Sequence, residues 1–441
     1  MRAGSASTFG IKSLDLAGFP HSGFFMTSSP THTPAPPVQA SGTLLLLMAI
    51  ACGLCAGCNY INQPLLHSIA IGLNVSEAQA AYSVTISQLA YAGGLLFLVP
   101  LGDLLDRRKL IVTLMALAAA GLLLCAITDN IALFWLGSAI AGIFSVAAQV
   151  LVPLVTLMVA PQQAGRAVGI LMTGLLIGIQ SARSIAGILS GTAGWQSVYV
   201  LTAVLMLAVA AALAKTLPSK AAFAAPAKSK AAQVSSQASY ASTMRSLVDL
   251  FAHQPRLRSR TLMGAFSFGS LAVLFSTMAL LLGKAPHQFN DMQIGLLSLV
   301  GVASALVAKP VGQWADRGLE PNTSLASAIL LLVVWPPMWL ATHSASIFAM
   351  GLLLLGVAIA AVHICNQSVI FQLASQARSR ANAIYMTGYF LGASAGSALG
   401  VVAWDIGGWS AVCWLGLGLA GCAMAACLHD RRLAQRTHLD L

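Results

Sequence analysis

The stretch GRAVGILMTGLLIG, Gly165 to Gly178, returns later in the chain as SRANAIYMTGYFLG, Ser379 to Gly392. A constant offset of 214 pairs Arg166 with Arg380, Met172 with Met386, Thr173 with Thr387, Gly174 with Gly388 and Gly178 with Gly392. The same offset pairs Gly142 with Gly356 and Gly194-Trp195 with Gly408-Trp409. An offset of 210 pairs Pro100 with Pro310, Gly102 with Gly312, Asp106 with Asp316 and Arg107 with Arg317. Agreement in register at so many places reads as an internal duplication.

Around the repeat lie twelve apolar segments, each near the ~20 residues a membrane-spanning helix needs. They cover 43–63, 79–101, 110–128, 131–157, 167–190, 196–216, 261–283, 292–311, 323–341, 346–372, 382–403 and 409–428. The one long break divides six from six. Two like-oriented halves imply a pseudo-two-fold axis along the membrane normal, the architecture of rocking-bundle carriers. The expected fold is therefore an all-α polytopic membrane protein, with 12 transmembrane helices in two pseudo-symmetric six-helix bundles. The expected domains are a disordered cytosolic segment 1–41, an N-terminal bundle 42–216, a cytosolic linker 217–260, a C-terminal bundle 261–428 and a cytosolic tail 429–441. Within the linker, Ser246 to His253 has an amphipathic pattern.

Composition supports this. Of 441 residues, 58% are hydrophobic and 8% charged, against about 25% charged in soluble domains. A soluble enzyme and a disordered chain are excluded. The net charge of +11 is a topology signal, because 20 of the 23 Lys and Arg residues fall on one side if both termini are cytoplasmic. No nucleic-acid partner is needed to explain it. The first strongly apolar run, near Leu44, is long enough to span, so no secretory signal peptide is read. The cysteines lie in apolar runs, and the Cys52, Cys55, Cys58 spacing reads as small packing residues rather than a metal site.

These motifs identify the chain as resembling the major facilitator superfamily over about residues 42–430. GDLLDRRK, Gly102 to Lys109, resembles the family loop between helices 2 and 3, and GQWADRG, Gly312 to Gly318, is its second-half copy. YINQPLL (Tyr60 to Leu66), LVPLGDLLDRRKLI (Leu98 to Ile111) and FSVAAQVLVPL (Phe144 to Leu154) are similar to the drug:proton antiporter branch that includes sugar and nucleoside efflux proteins. Lys109, Ile179 and a fourth span without arginine depart from the family pattern. The resemblance implies a gating role for Gly102, Asp106, Arg107, Gly312, Asp316 and Arg317, with protons as the coupling ion.

Polar groups inside spans are costly and are expected to face a cavity or another helix. Arg183 is the most informative. It either binds an anionic or hydrogen-bonding substrate group, or is held by carbonyls and amide side chains for structure alone. None of the twelve acids lies in mid-span. His363 is then the one mid-helix group with an ordinary pKa near neutrality. It is either a proton carrier or a neutral histidine in a helix interface. Asn59, Gln88, Tyr91, Gln149, Gln180, Asn366, Gln367 and Tyr385 are the further substrate-binding candidates, with Asn62 beside Asn59. They describe an amide-rich pocket suited to a polar uncharged or weakly anionic solute. Gly388, Gly392, Gly396 and Gly400 form one smooth helix face.

The expected function is a secondary active exporter of small organic molecules, acting as a monomer in a bacterial inner membrane. An uptake carrier or uniporter is the alternative, and a non-transporting sensor a further one. No metal-ligand cluster, nucleophile constellation or phosphate loop is read at membrane depth. The chain is expected to be no enzyme and to need no cofactor or metal.

Overall fold

The computed structural model describes residues 41–160, 163–218, 240–301, 308–373 and 378–439. Residues 1–40 of the expected N-terminal segment, 219–239 of the linker and the side chain of Asp316 lie outside the described residues.

Among the described residues every regular element is helical. The first half runs α1 (Gly42–Gly57), a 3-10 turn (Gln63–Leu65), α2 (Leu66–Gly72), α3 (Glu77–Phe97), α4 (Leu101–Leu104), α5 (Arg107–Ile127), α6 (Ile131–Phe144), α7 (Ala147–Thr156), α8 (Ala164–Ala193) and α9 (Trp195–Thr216). The second runs α10 (Tyr240–His253), α11 (Pro255–Leu282), α12 (Asp291–Leu297), α13 (Ala308–Asp316), α14 (Glu320–Met338), α15 (Ala345–Leu373) and α16 (Arg378–Leu439). The amphipathic stretch of the linker is α10, longer than its pattern predicts. Helix α11 starts at Pro255, so residues 255–260 are helical as well.

Among the described residues, eight helical segments are long and apolar enough to cross a bilayer. The 62 residues of α16 would be roughly 90 Å long as one rod at 1.5 Å per residue, three times the apolar thickness of a bilayer. It breaks at Gly407 and Gly408 into two crossings. The shorter α1 and α12 segments and the more polar α3 complete the expected twelve. The first and fourth crossings are interrupted, between Gly57 and Gln63 and at Ser145–Val146. Such breaks leave backbone groups that need partners, and they are tolerated where protein or a cavity supplies them.

The duplication is visible in the backbone. Gly194 (φ 81°, ψ 156°) and Gly408 (φ 59°, ψ −149°) make the same turn ahead of a tryptophan. Both occupy a region of backbone space that is essentially restricted to glycine. Helices α3 and α12 also open with equivalent capping boxes, Ser76 with Gln79 and Asn290 with Gln293. Helix contacts repeat too. Gly174 meets Ala49 and Gly178 meets Gly53 in one half. Gly388 meets Thr261, Gly392 meets Ala265 and Gly396 meets Gly269 in the other. A side chain at any of these glycines would strike the facing helix. In lipid, where no hydrophobic force joins helices, such close van der Waals contact is the main attraction. Exposed apolar residues such as Val200, Leu201, Val204 and Leu205 on α9 are solvated by acyl chains rather than water.

Helices of alternating direction gather their ends on two faces. One face carries Asp106, Glu320 and Asp430, and the other Glu77 and Asp291.

Candidate functional site

Arg183 lies on α8, only 3% exposed. Its Nε donates to Gln63 Oε1 at 2.7 Å, and its Nη1 to Gln180 Oε1 and weakly to the Ile179 carbonyl. Gln63 is available because the first crossing breaks there into a 3-10 turn with Pro64 at its start. The guanidinium carbon sits 4.5 Å from the ring centre of Tyr60 and 4.2 Å from that of Phe275. Those are cation–π distances. Tyr60 belongs to the first half and Phe275 to the second, so the charge lies at the seam. Among the described residues no carboxylate pairs with it.

A second group lies on the far side of the seam. His363 on α15 exchanges a hydrogen bond between Nδ1 and the Tyr385 hydroxyl at 3.0 Å. Tyr389 stacks on Phe268 at 4.1 Å, with rings 14° from parallel. Phe390 reaches Tyr91 of the first half at 4.4 Å. Arg183 and Gln180 thus meet Tyr60 and Phe275 in one group. His363 and Tyr385 join Tyr389, Phe268, Phe390 and Tyr91 in a second. Gln149 lines a small pocket with Gly102, Arg107 and Ala383.

The other expected site residues have the following surroundings. Asn59 donates to Ser145 Oγ at 2.8 Å, tying the two broken crossings together, while its Oδ1 is buried without a partner. Asn62 is spent on Ser83 and Tyr199. Gln88 is 1% exposed, and its Oε1 has no partner. Gln367 contacts Asn382 at 3.5 Å. Asn366 joins Arg260, accepting from Nη1 at 3.3 Å and donating to the Arg260 carbonyl at 3.2 Å.

Arg260 is the feature sequence reasoning missed. Counted by its sequence position among the cytosolic charges, it is 2% exposed in the fold. It pairs with Glu320 at 2.6 Å and with Asp430 at 2.6 Å. Asp430 also accepts from Ser259 at 2.7 Å and Arg256 at 3.2 Å. Gln63, Tyr60 and Phe275 were missed too. The first two flank Asn62 in the motif YINQPLL, directly after Asn59, which was a usable signal. Phe275 carried none.

The halves are clasped at the Asp291 face. Asp291 accepts from Ser190 Oγ at 2.9 Å and from Ser68. Glu77, the first-turn acid of the equivalent helix, lies 3.8 Å from Lys284 Nζ and 2.8 Å from His67 Nδ1. Each half therefore sends the acid of its own capping box to the other. Thr85 bonds Ser397 at 2.9 Å, and Ser184 bonds the Gly295 carbonyl at 3.0 Å.

At the opposite face, Asp106 caps α5 through the amides of Arg108 and Lys109. Arg107 Nε donates to the Gly102 carbonyl at 2.8 Å. This bond lies within the loop of the first half. In the second copy, Gly312 has open space where a side chain would be, and Arg317 is exposed.

The family model for the Major Facilitator Superfamily matches residues 45–318 and 261–439. The chain is 40% identical over 384 residues, 87% of its length and 94% of the relative's, to the transporter YgaY of Escherichia coli O157:H7. It is 27% identical over 385 residues, 86% of its length and 87% of the relative's, to the inner membrane transport protein YnfM of Escherichia coli K12. The crystal structure of the nucleoside transporter NupG superposes with a TM-score of 0.66 at 15% identity, covering 88% of this chain and 99% of that one. With the repeated halves, the glycine seams and these matches together, the chain belongs to the major facilitator superfamily and is a membrane transporter, not an enzyme.

Proposed function

We propose that this transporter is a proton-coupled exporter of small organic molecules, working by alternating access. The observation that carries this reading is the clasp between the halves at the Asp291 face. Among the described residues, Asp291 with Ser68 and Ser190, Lys284 with Glu77, and Ser184 with Gly295 join the halves there. That is one of the two arrangements a rocking carrier needs, and a solute with different affinities for the two shifts their populations.

The site residues take these roles. Arg183, Gln180, Gln149, Tyr91 and Tyr385 contact the solute, and His363 carries the proton. Gain of a proton by His363 changes the charge beside Tyr385, so occupancy by proton and solute are linked. The buried, unpartnered oxygens of Gln88 and Asn59 are further acceptors for a solute or water. The exporter sits in a bacterial inner membrane with both termini in the cytoplasm, as the charge asymmetry supports, and functions as a monomer. The six-plus-six division at the 217–260 linker supplies the two rocking units.

A uniporter or uptake carrier is the second reading. It is favoured by the lack, among the described residues, of a carboxylate at the depth of Arg183.

Exometabolite comparison of cells overproducing wild type or His363→Gln, at matched membrane abundance, tests this. A compound that accumulates outside only with wild type, and only without a protonophore, is the expected result. Faster depletion of that compound from the medium transfers the assignment to uptake. Full, protonophore-sensitive export by His363→Gln removes His363 from coupling.

A further inference from the structure

Among the described residues, Arg183 is buried at the seam and no carboxylate pairs with it. Burying a charge in hydrocarbon is costly even on insertion scales, the mildest available. Arg260 meets such a cost with two carboxylates. Arg183 meets it with two neutral amides and two ring faces, leaving a net positive charge at the seam. Its Nη2 donates to no described residue. A neutral solute would be served by the amides alone, and a cationic one would be repelled.

The neighbouring rings restrict the solute further. Tyr60 and Phe275 lie against the guanidinium, and Tyr91, Phe268, Tyr389 and Phe390 form a contiguous ring cluster across the seam. Aromatic faces favour flat rings, in offset or edge contact. An aliphatic anion would satisfy the guanidinium and leave these faces unused.

We propose that the solute is a small organic carboxylate bearing a planar ring, its carboxylate on Arg183 and its ring among the tyrosine and phenylalanine side chains. This deepens the carrier reading above and rests on it. Because Phe275 and Tyr60 bracket the same guanidinium from opposite halves, the anion engages the seam itself. Its arrival neutralises the one unbalanced charge there, so binding and rocking are coupled without a further switch.

The test uses the purified full-length chain in nanodiscs and isothermal titration calorimetry with four matched probes. These are indole-3-acetate, indole-3-acetamide, tryptamine and cyclohexylacetate. Wild type is expected to bind indole-3-acetate about tenfold or more tighter than the other three, the scale of one charge-assisted contact plus ring stacking. Arg183→Met should erase the preference for acetate over acetamide. Phe275→Leu should weaken acetate binding about threefold yet keep the preference for it over the amide, which guards against a misfolded Arg183 variant. Equal or tighter binding of acetamide or tryptamine by wild type overturns the proposal. So does failure of indole-3-acetate, benzoate and 2-naphthoate all to bind. Counterflow in proteoliposomes separates the two readings. Selective binding of indole-3-acetate without its exchange overturns the carrier and leaves the anion site. Exchange of a nucleoside, unaffected by excess indole-3-acetate, leaves the carrier and overturns the anion class.

Discussion

The two halves of this transporter each bury an arginine almost completely, and they treat it in opposite ways. In the second half Arg260 is locked between Glu320 and Asp430, with Ser324 and Asn366 taking its remaining donors. In the first half Arg183 has only amides and rings. The repeat makes the contrast sharper. In the glycine-seam register that matches Gly53 with Ala265, Met48 stands where Arg260 does. Arg183 is matched by Ser397 at the offset of 214. The duplication was retained in backbone turns and helix seams, while the buried charges diverged. A paired buried charge is a brace between helices, here α11, α14, α15 and the end of α16. An unpaired one keeps its capacity for a ligand.

The largest expected effect breaks the brace. Arg260→Ala leaves Glu320 buried without its cation and Asp430 with Arg256 alone, and should destabilise the protein by about 3–5 kcal/mol. Thermal unfolding in detergent reads this directly. Replacing Arg260, Glu320 and Asp430 together by Met, Leu and Leu should recover most of the loss. If Arg260→Ala is as stable as wild type, the brace is not one.

A middle effect is expected at the seam between the halves. Asp291→Ala removes the acceptor of Ser68 and Ser190, two hydrogen bonds to a charged group worth roughly 1.5–3 kcal/mol each. Amide hydrogen exchange in 184–193 and 291–297 should quicken by about tenfold or more, with exchange in α5 and α9 unchanged. Uniform acceleration would mean that Asp291 supports the whole fold rather than the clasp.

The smallest effect on stability is expected at the other arginine. Arg183→Met removes an uncompensated charge together with its desolvation cost. It leaves Gln63 and Gln180 short of one donor each. These terms oppose, and the net change should lie within about 1 kcal/mol. Transport should nonetheless be lost. A variant that unfolds like Arg260→Ala would place Arg183 among the braces.

Much of the fold was legible because its physics is local along the chain. Hydropathy marked the crossings at Arg107–Ile127 or Trp195–Thr216 to within a few residues. The Gly-Trp pairs marked two turns whose positive φ only glycine adopts readily. The small-residue face at Gly388 to Gly400 was readable as a helix seam, though not which helix it meets. The capping boxes at Ser76 and Asn290 went unread, although they are four-residue patterns at the same offset as the repeat.

The site was less legible. Arg183 stood out by its depth, and His363 by being the mid-helix titratable group. Their partners did not. Gln63 is 120 positions from Arg183, and Phe275 lies in the other half. Asn366 resembled a pocket amide until the fold set it against Arg260.

The sequence by itself determined twelve crossings, a twofold repeat and an unbalanced charge at membrane depth. These depend on composition, period and offset, and on the cost of putting polar groups in hydrocarbon. Only the tertiary structure decided which arginine is neutralised. Arg260 stands at the polar edge of an apolar run, where hydropathy reads it as exposed. Its acids are 60 and 170 residues away. Burial and pairing depend on which helix ends meet in three dimensions, and no one-dimensional pattern carries that.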